Sequence, residues 1–221
     1  MTLLAHWPLN DNAASTTVVA TVGTNGTLNG GDNTADKTLA GPGGSITAGL
    51  QMNGTDDYID VASTGLVFAS GDVWSVSWWA KRGDGVEQRW IGGTSFSWIK
   101  GNGGGSVQYT SGGGGSKNYT TPSQGTAWHH FLMTHDASNN VRLWMDGTES
   151  SAGTQNQAGG YWAEQIGVVG GDQFSNAAFA QVKVFNSEES GNVATLYAEG
   201  SGGGGPNIPA IANYYRRMRA G

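Results

Sequence analysis

Three of the four histidines, His129, His130 and His135, fall within seven positions of TAWHHFLMTHD, and Asp136 follows directly. Imidazoles beside a carboxylate are the material of a zinc site or an acid–base pair. The spacing works against both. In an extended strand side chains alternate, so His129 and His135 share a face and lie roughly 20 Å apart, while His130 points the other way. Three ligands have to converge to within about 2 Å of one metal. The stretch therefore predicts a core strand led by Trp128, with one of its histidines packed and hydrogen-bonded.

Carboxylates are the next chemistry to weigh. Glycoside hydrolysis needs two of them flanking the bond to be cut, roughly 5 to 10 Å apart. The six glutamates are Glu87, Glu149, Glu164, Glu188, Glu189 and Glu199, and none has an aspartate two residues on. A Glu-x-Asp-x-x-Glu strand is therefore absent. Glu87, with Asp84 and Trp90 nearby, reads as an exposed hairpin acid. No Gly-x-Ser-x-Gly elbow occurs, cysteine is absent, and SGGGGS and SGGGGP lack the Lys-Ser/Thr ending of a phosphate loop. The expectation is a protein that is not an enzyme.

Aspartates in glycine-rich loops suit a harder ion. Calcium takes six to eight oxygens from carboxylates, carbonyls and water. The candidate donors are Asp32, Asp36, Asp56, Asp57 and Asp172. The plainer reading is that Asp and Asn support tight bends at these places. Exposed aromatics, which stack on sugar faces, are the other ligand-binding signal. Trp79, Trp90, Trp98, Tyr109, Tyr119, Tyr161 and Trp162 are candidates. Tyr161-Trp162, after Gly159-Gly160, looks most loop-like and most available. Most tryptophans in a sandwich are core or partly core, so each alone reads first as structural.

The elements that must position these groups are strands. Glycine contributes 38 of 221 residues, charged residues only 13%, and nine tryptophans supply large apolar surfaces. Strands are predicted at 3–9, 18–22, 73–81 and 128–136, with a hairpin over 45–61 turned at Asn53-Gly54. In VWSVSWWAK, Trp74, Val76, Trp78 and Ala80 form the better core face. Further strands follow in EQRWIGG, SFSWIKG, QIGVVGG and FAQVKVF, and SVQYTSGGGGSKNYTT reads as a hairpin with a glycine tip. Asn139-Asn140 and Asp146-Gly147 suit turns around VRLWM. The Asn-Gly pairs at 25 and 29 and GGDNTADK, together 25–37, read as turns and a surface loop. SEESGNVATLYAEG is the one helix, with Ser187 as N-cap and Val193, Leu196 and Tyr197 on its apolar face. A dozen strands and a late helix predict an all-β, two-sheet sandwich over residues 1–200.

Residues 201–206, SGGGGP, form a linker, and 207–221 a tail. Ile208, Ile211, Tyr215 and Met218 fall on one helical stripe, beside Arg216, Arg217 and Arg219. This tail either docks on another protein or packs on its own domain. The net charge is −6; the three arginines leave −9 on residues 1–205. An acidic body argues against nucleic-acid binding by the main domain. No stretch could span a membrane as a helix, and MTLLAHWPLND carries no signal-peptide pattern.

The pieces LLAHWPLND, NGTLNGG, LQMNGTDDYIDV, WSVSWWAK, TAWHHFLMTHDASNNVRLWMDGT and FAQVKVFNSEESGNVATLYAEG occur in one order. In that order the chain resembles the laminin-G-like, concanavalin A-like lectin/glucanase jelly-roll domains of bacterial and phage proteins, over residues 3–199. The resemblance implies two packed antiparallel sheets, binding of glycans or proteins, often one calcium ion, and glycosidases among the relatives. The family's Ile-Asp-Glu-Val pattern is replaced by Phe179, Ala180, Gln181 and Val182, which puts the transfer of polar contacts there in doubt. The expectation is a lectin-like surface protein that is a component of a virion, a phage capsid decoration or tail fibre. It would bind glycan or a host surface and dock through its tail on other structural proteins, and homo-oligomerisation stays open. The alternative is a secreted or cell-surface extracellular carbohydrate-binding module or glycosidase relative.

Overall fold

The computed structural model describes residues 2–61, 66–83, 88–93, 97–102, 105–113, 115–169 and 173–201. The chain opens with β1 (Leu3–Trp7), β2 (Thr17–Val18) and β3 (Gly26–Asn29). A one-turn helix α1 (Thr34–Lys37) precedes β4 (Thr38–Gly43), β5 (Ile46–Gln51), β6 (Tyr58–Asp60) and β7 (Val67–Phe68). Longer strands follow: β8 (Trp74–Arg82), β9 (Gln88–Gly92), β10 (Trp98–Asn102), β11 (Ser106–Ser111), β12 (Gly115–Thr120), β13 (Trp128–His135) and β14 (Asn140–Met145). Then come β15 (Thr148–Glu149), β16 (Gln155–Asn156), β17 (Tyr161–Trp162), β18 (Gln165–Ile166), β19 (Val168–Val169) and β20 (Gln173–Phe174). The long β21 (Ala177–Phe185), a 3-10 turn at Ser190–Asn192 and α2 (Val193–Ala198) close the described chain.

These strands make two large antiparallel sheets. The first runs β15–β14–β13–β8–β21–β5–β4, with β1 beside β21 and β16 beside β14. The second runs β12–β11–β10–β9–β18–β6–β3–β2. One apolar cluster fills the space between them. Trp74, Val76, Trp78 and Ala80 of β8 all lie in it, as their alternation predicts. Trp78 meets Trp90 of the second sheet at 5.7 Å between ring centroids, and both pack on Phe131. Each such ring buries about 150–250 Å², at most roughly 4–6 kcal/mol of apolar transfer.

Three local readings change. Asn53-Gly54 does not turn a hairpin: β5 lies in the first sheet and β6 in the second. Asn53 Oδ1 accepts from the backbone N–H groups of Thr55, Asp56 and Asp57, which makes a corner between sheets. Residues 25–37 are not simply turns and loop: tertiary pairing with β6 makes the strand β3 of weak β-formers, and 34–37 form α1. The helix is also shorter than predicted. Ser187 does not cap it; its carbonyl accepts from Ser75 Oγ, and a 3-10 turn starts the segment. The remaining turns are as read. Asp146 and Gly147 both have positive φ (50° and 80°) in the tight turn into β15.

Candidate functional site

The outward face of the second sheet collects polar side chains in register. Arg89, Lys100, Gln108 and Asn118 sit directly opposite one another across β9, β10, β11 and β12. Neighbouring strands are about 4.8 Å apart, so the row spans roughly 14 Å. Gln108 Nε2 donates to Asn118 Oδ1 at 3.1 Å. Asn102 bonds Ser106 at 3.2 Å and Thr110 bonds Ser116 at 2.7 Å, giving two more cross-strand pairs on this face. Trp98 stands among them half-buried, with the Arg89 guanidinium 5.2 Å above its ring. That cation–π contact holds the indole in place. Burial pulls the Lys100 ammonium below its usual pKa. Farther along, half-buried Tyr58 pairs with Phe174 at 6.1 Å.

Of the seven aromatic candidates, Trp98 and Trp162 are half-exposed. Trp162 lies against glycine backbone: a Cβ at Gly112 would meet its ring at 2.3 Å. Its N–H donates to Ser97 Oγ at 3.0 Å, which ties β17 to the residue just before Trp98. The other five are corrected to core. Trp90, Tyr119 and Tyr161 are fully buried. Tyr161 stacks on Trp74 at 4.7 Å and its hydroxyl donates to the Ile91 carbonyl. Tyr119 donates to the Val141 carbonyl at 3.3 Å. Burial pushes both phenols well above the usual range. Tyr109 and Trp79 are buried as well. Glycines suggested a loop at 159–162, but β17 pairs with β7 and carries Tyr161 inward. The signal missed was the alternation of polar residues in β10–β12, which marks a wet face.

The histidines separate as their spacing predicts. His129 Nδ1 lies 2.6 Å from Asp146 Oδ2, and that carboxylate raises its pKa against the effect of burial. His130 is buried on the opposite face with Nε2 2.9 Å from Ser77 Oγ, and burial lowers its pKa to about 3. His135 Nδ1 donates to the Asp72 carbonyl at 2.7 Å while its ring stacks on Trp74. His6 binds Gln181 at 2.7 Å, so the residue replacing the family's acid serves an internal hydrogen bond. Glu149 pairs with Arg142, Glu199 with Lys183, and Glu189 accepts from Ser187 and Asn192. Glu87 and Asp84 lie outside the described residues.

The aspartate set proposed for calcium comes together only in part. Asp32 and Asp57 converge, but on a lysine: Lys37 Nζ is 2.5 Å from each. Burial would lower the pKa of Lys37, and the hydrogen bonds to Asp32 and Asp57 outweigh that and raise it. Asp56 and Asp36 are exposed; Asp56 accepts from Asn53 Nδ2, and Asp36 contributes its backbone N–H to the Asn33 cap of α1. Asp172 lies outside the described residues, as do Ile208, Ile211, Tyr215, Arg216, Arg217, Met218 and Arg219. Among the described residues no three His, Asp or Glu side chains are placed to hold a metal ion. The cation position between Asp32 and Asp57 is filled by an ammonium, so these residues do not fit the calcium that the family resemblance implies.

Solved structures share this architecture. The botulinum neurotoxin serotype D binding domain superposes with a TM-score of 0.62 at 15% identity, covering 90% of this chain and 50% of that one. Domain 4 of AbnA, an extracellular arabinanase from Geobacillus stearothermophilus solved with arabinotriose, gives 0.59 at 20% identity, covering 89% and 98%. A Trypanosoma rangeli sialidase gives 0.55 at 10% identity, covering 89% and 32%. This chain thus spans about half the length of the toxin domain it matches. No curated protein sequence matches it. At these identities the likeness shows the fold alone, a jelly-roll sandwich. The family profile goes further: it matches residues 53–192, more than half of the chain, and the protein belongs to the concanavalin A-like lectin/glucanases superfamily. No described helix is long and apolar enough to cross a membrane.

Proposed function

We propose that this protein is a non-catalytic, lectin-like domain that binds glycan across the outward face of its second sheet. The observation that carries the reading is the registered polar row Arg89–Lys100–Gln108–Asn118 beside the half-exposed indole of Trp98. Trp98 supplies a stacking surface, and Gln108 and Asn118 supply amide donors and acceptors for hydroxyls. The groups lie on strands rather than on loops, which holds them in fixed relation. Arabinotriose, the ligand of the arabinanase domain, and N-acetylneuraminic acid, bound by a serotype D toxin domain, are the natural first probes. A glycan array with the wild-type chain and Trp98→Ala tests the site. Binding that depends on Trp98 supports it, and silence of both across the array sinks it in favour of a structural role.

The finer part of the reading places the domain on a virion surface, as a capsid decoration or tail fibre, held by residues 207–221. Its support is the sequence: an apolar stripe with three arginines after a glycine linker. Deleting 201–221 should leave folding and glycan binding intact and abolish incorporation into the assembly. Unchanged incorporation would refute docking through the tail.

A further inference from the structure

The loop cluster that joins the two sheets is built around a positive charge. α1 is a single turn whose N-cap, Asn33, accepts from Ala35 and Asp36 N–H and so fixes the position of Lys37. Lys37 Nζ lies 2.5 Å from Asp32 Oδ2 and 2.5 Å from Asp57 Oδ2, so the two carboxylate oxygens lie within twice that distance of each other. The Asp57 side chain is fully buried, that of Lys37 is 12% exposed and that of Asp32 44%. Asp57 Oδ2 also accepts the Asn53 N–H at 3.0 Å, while Oδ1 is buried with no hydrogen-bond partner among the described residues. Oδ1 faces Gly30, whose φ is +112°; a Cβ there would lie 2.3 Å from it and 3.2 Å from the Asp56 carbonyl. A buried carboxylate with a free oxygen, a second carboxylate and a nearby carbonyl form a hard-oxygen nest. A buried carboxylate needs a cation, and this chain supplies its own.

We propose that Lys37 is a built-in substitute for a divalent cation. The corner formed by residues 30–37 and 53–57 folds without metal, and removal of the ammonium converts Asp32 and Asp57 into a calcium-responsive site. The inference does not depend on the glycan reading, since the cluster lies between α1 and the β5–β6 corner and uses neither Trp98 nor the polar row.

Thermal unfolding of the full chain with EDTA or with about 10 mM calcium, well above the range of weak extracellular sites, is the first test. The wild-type Tm should be the same in both; a calcium-dependent rise overturns the proposal. Lys37→Met should lower Tm by roughly 10 °C in EDTA, because one partner of a buried pair is removed. Calcium should then restore about 3 °C or more, and EDTA should reverse it. A Lys37→Met Tm equal to wild type, or a lowered one that calcium does not move, overturns the proposal. If Lys37→Met does not fold alone, refolding with and without calcium decides: recovery only with calcium supports the substitution, and no recovery in either overturns it. Adding Asp57→Asn to Lys37→Met should abolish the calcium response; a response that survives places the ion elsewhere and overturns the assignment.

Discussion

The two sheets present outward faces that begin alike and end differently. On the first sheet, β8, β13, β14 and β21 turn Trp79, Leu132, Trp144 and Phe185 outward, and the chain closes over them. Val193 and Leu196 of α2 complete an apolar cluster with Leu132, Trp144 and Phe185, and Tyr197 stacks on Trp79 at 5.8 Å. On the second sheet, β9 to β12 turn Arg89, Trp98, Lys100, Gln108 and Asn118 outward, and these stay half-exposed or exposed. A sheet face that is apolar has to be covered, whereas a polar one can remain in water and meet a ligand. The first face is therefore structural, and the second is the one left open for the proposed recognition.

The comparison breaks most visibly at the closed face. Leu132→Ala should cost about 2–5 kcal/mol, a Tm fall of roughly 5–15 °C for a chain of this size. Glycan affinity measured well below that Tm should not change. A parallel loss of affinity would mean that the two faces are coupled, and the division of roles would fail.

Acid probes the same face next. His130, packed under Tyr197, has its folded pKa lowered from 6.5 to about 3 by burial. Between those values the unfolded chain binds a proton that the folded chain refuses. Stability is thus fully present above pH 6.5 and falls as pH drops toward 3, by at most about 1.4 kcal/mol per pH unit. His129, one residue away, has the opposite sign. Asp146 raises its pKa, so its contribution is fully present below 6.5 and is lost as pH rises through the raised value. Urea unfolding at a series of pH values should show a flatter acid limb in His130→Gln than in wild type. Equal slopes would remove His130 from the account.

Much of this division was legible in the sequence. The alternation in VWSVSWWAK separates Trp78 from Trp79 correctly, and the Val193–Leu196–Tyr197 stripe announces the cover. The histidine spacing correctly puts His130 on the face opposite His129 and His135, because alternation and rise are properties of any strand. Burial of the particular aromatics was not legible. Tyr161 and Trp162 are adjacent, and only the pairing of β17 with β7 decides which one turns inward. Nor did the acidic residues reveal that Lys37 would sit between Asp32 and Asp57, since a contact across 20 positions carries no local periodicity. The polar row on β10–β12 could have been found by aligning WIKGN, SVQYTS and GSKNYT as neighbouring strands.

On the open face Trp98 should matter most. Trp98→Ala should weaken glycan binding by at least about tenfold, or ~1.4 kcal/mol, as expected for an aromatic anchor. Its stability loss should stay well below that of Leu132→Ala, since the ring is half in water. Isothermal titration with the best array ligand measures the first and thermal unfolding the second. An unchanged affinity would move the site away from β10, with half-exposed Trp162 the next candidate.

The smallest expected effect discriminates most finely. Gln108 and Asn118 bond each other at 3.1 Å on an exposed surface, so removing either should change folding by less than about 0.5 kcal/mol. A bound sugar hydroxyl bridging the two amides would gain about 0.5–1.5 kcal/mol from each, so Gln108→Ala and Asn118→Ala should each weaken binding roughly two- to tenfold. If the amides act as one recognition pair, the double variant should lose less than the two single losses together, because the partner left behind in each single variant is already misplaced. Strict additivity would instead indicate two independent contacts along the row. No loss in either variant would confine recognition to Trp98 and its neighbours, leaving the polar ladder as the means by which an open sheet face stays soluble.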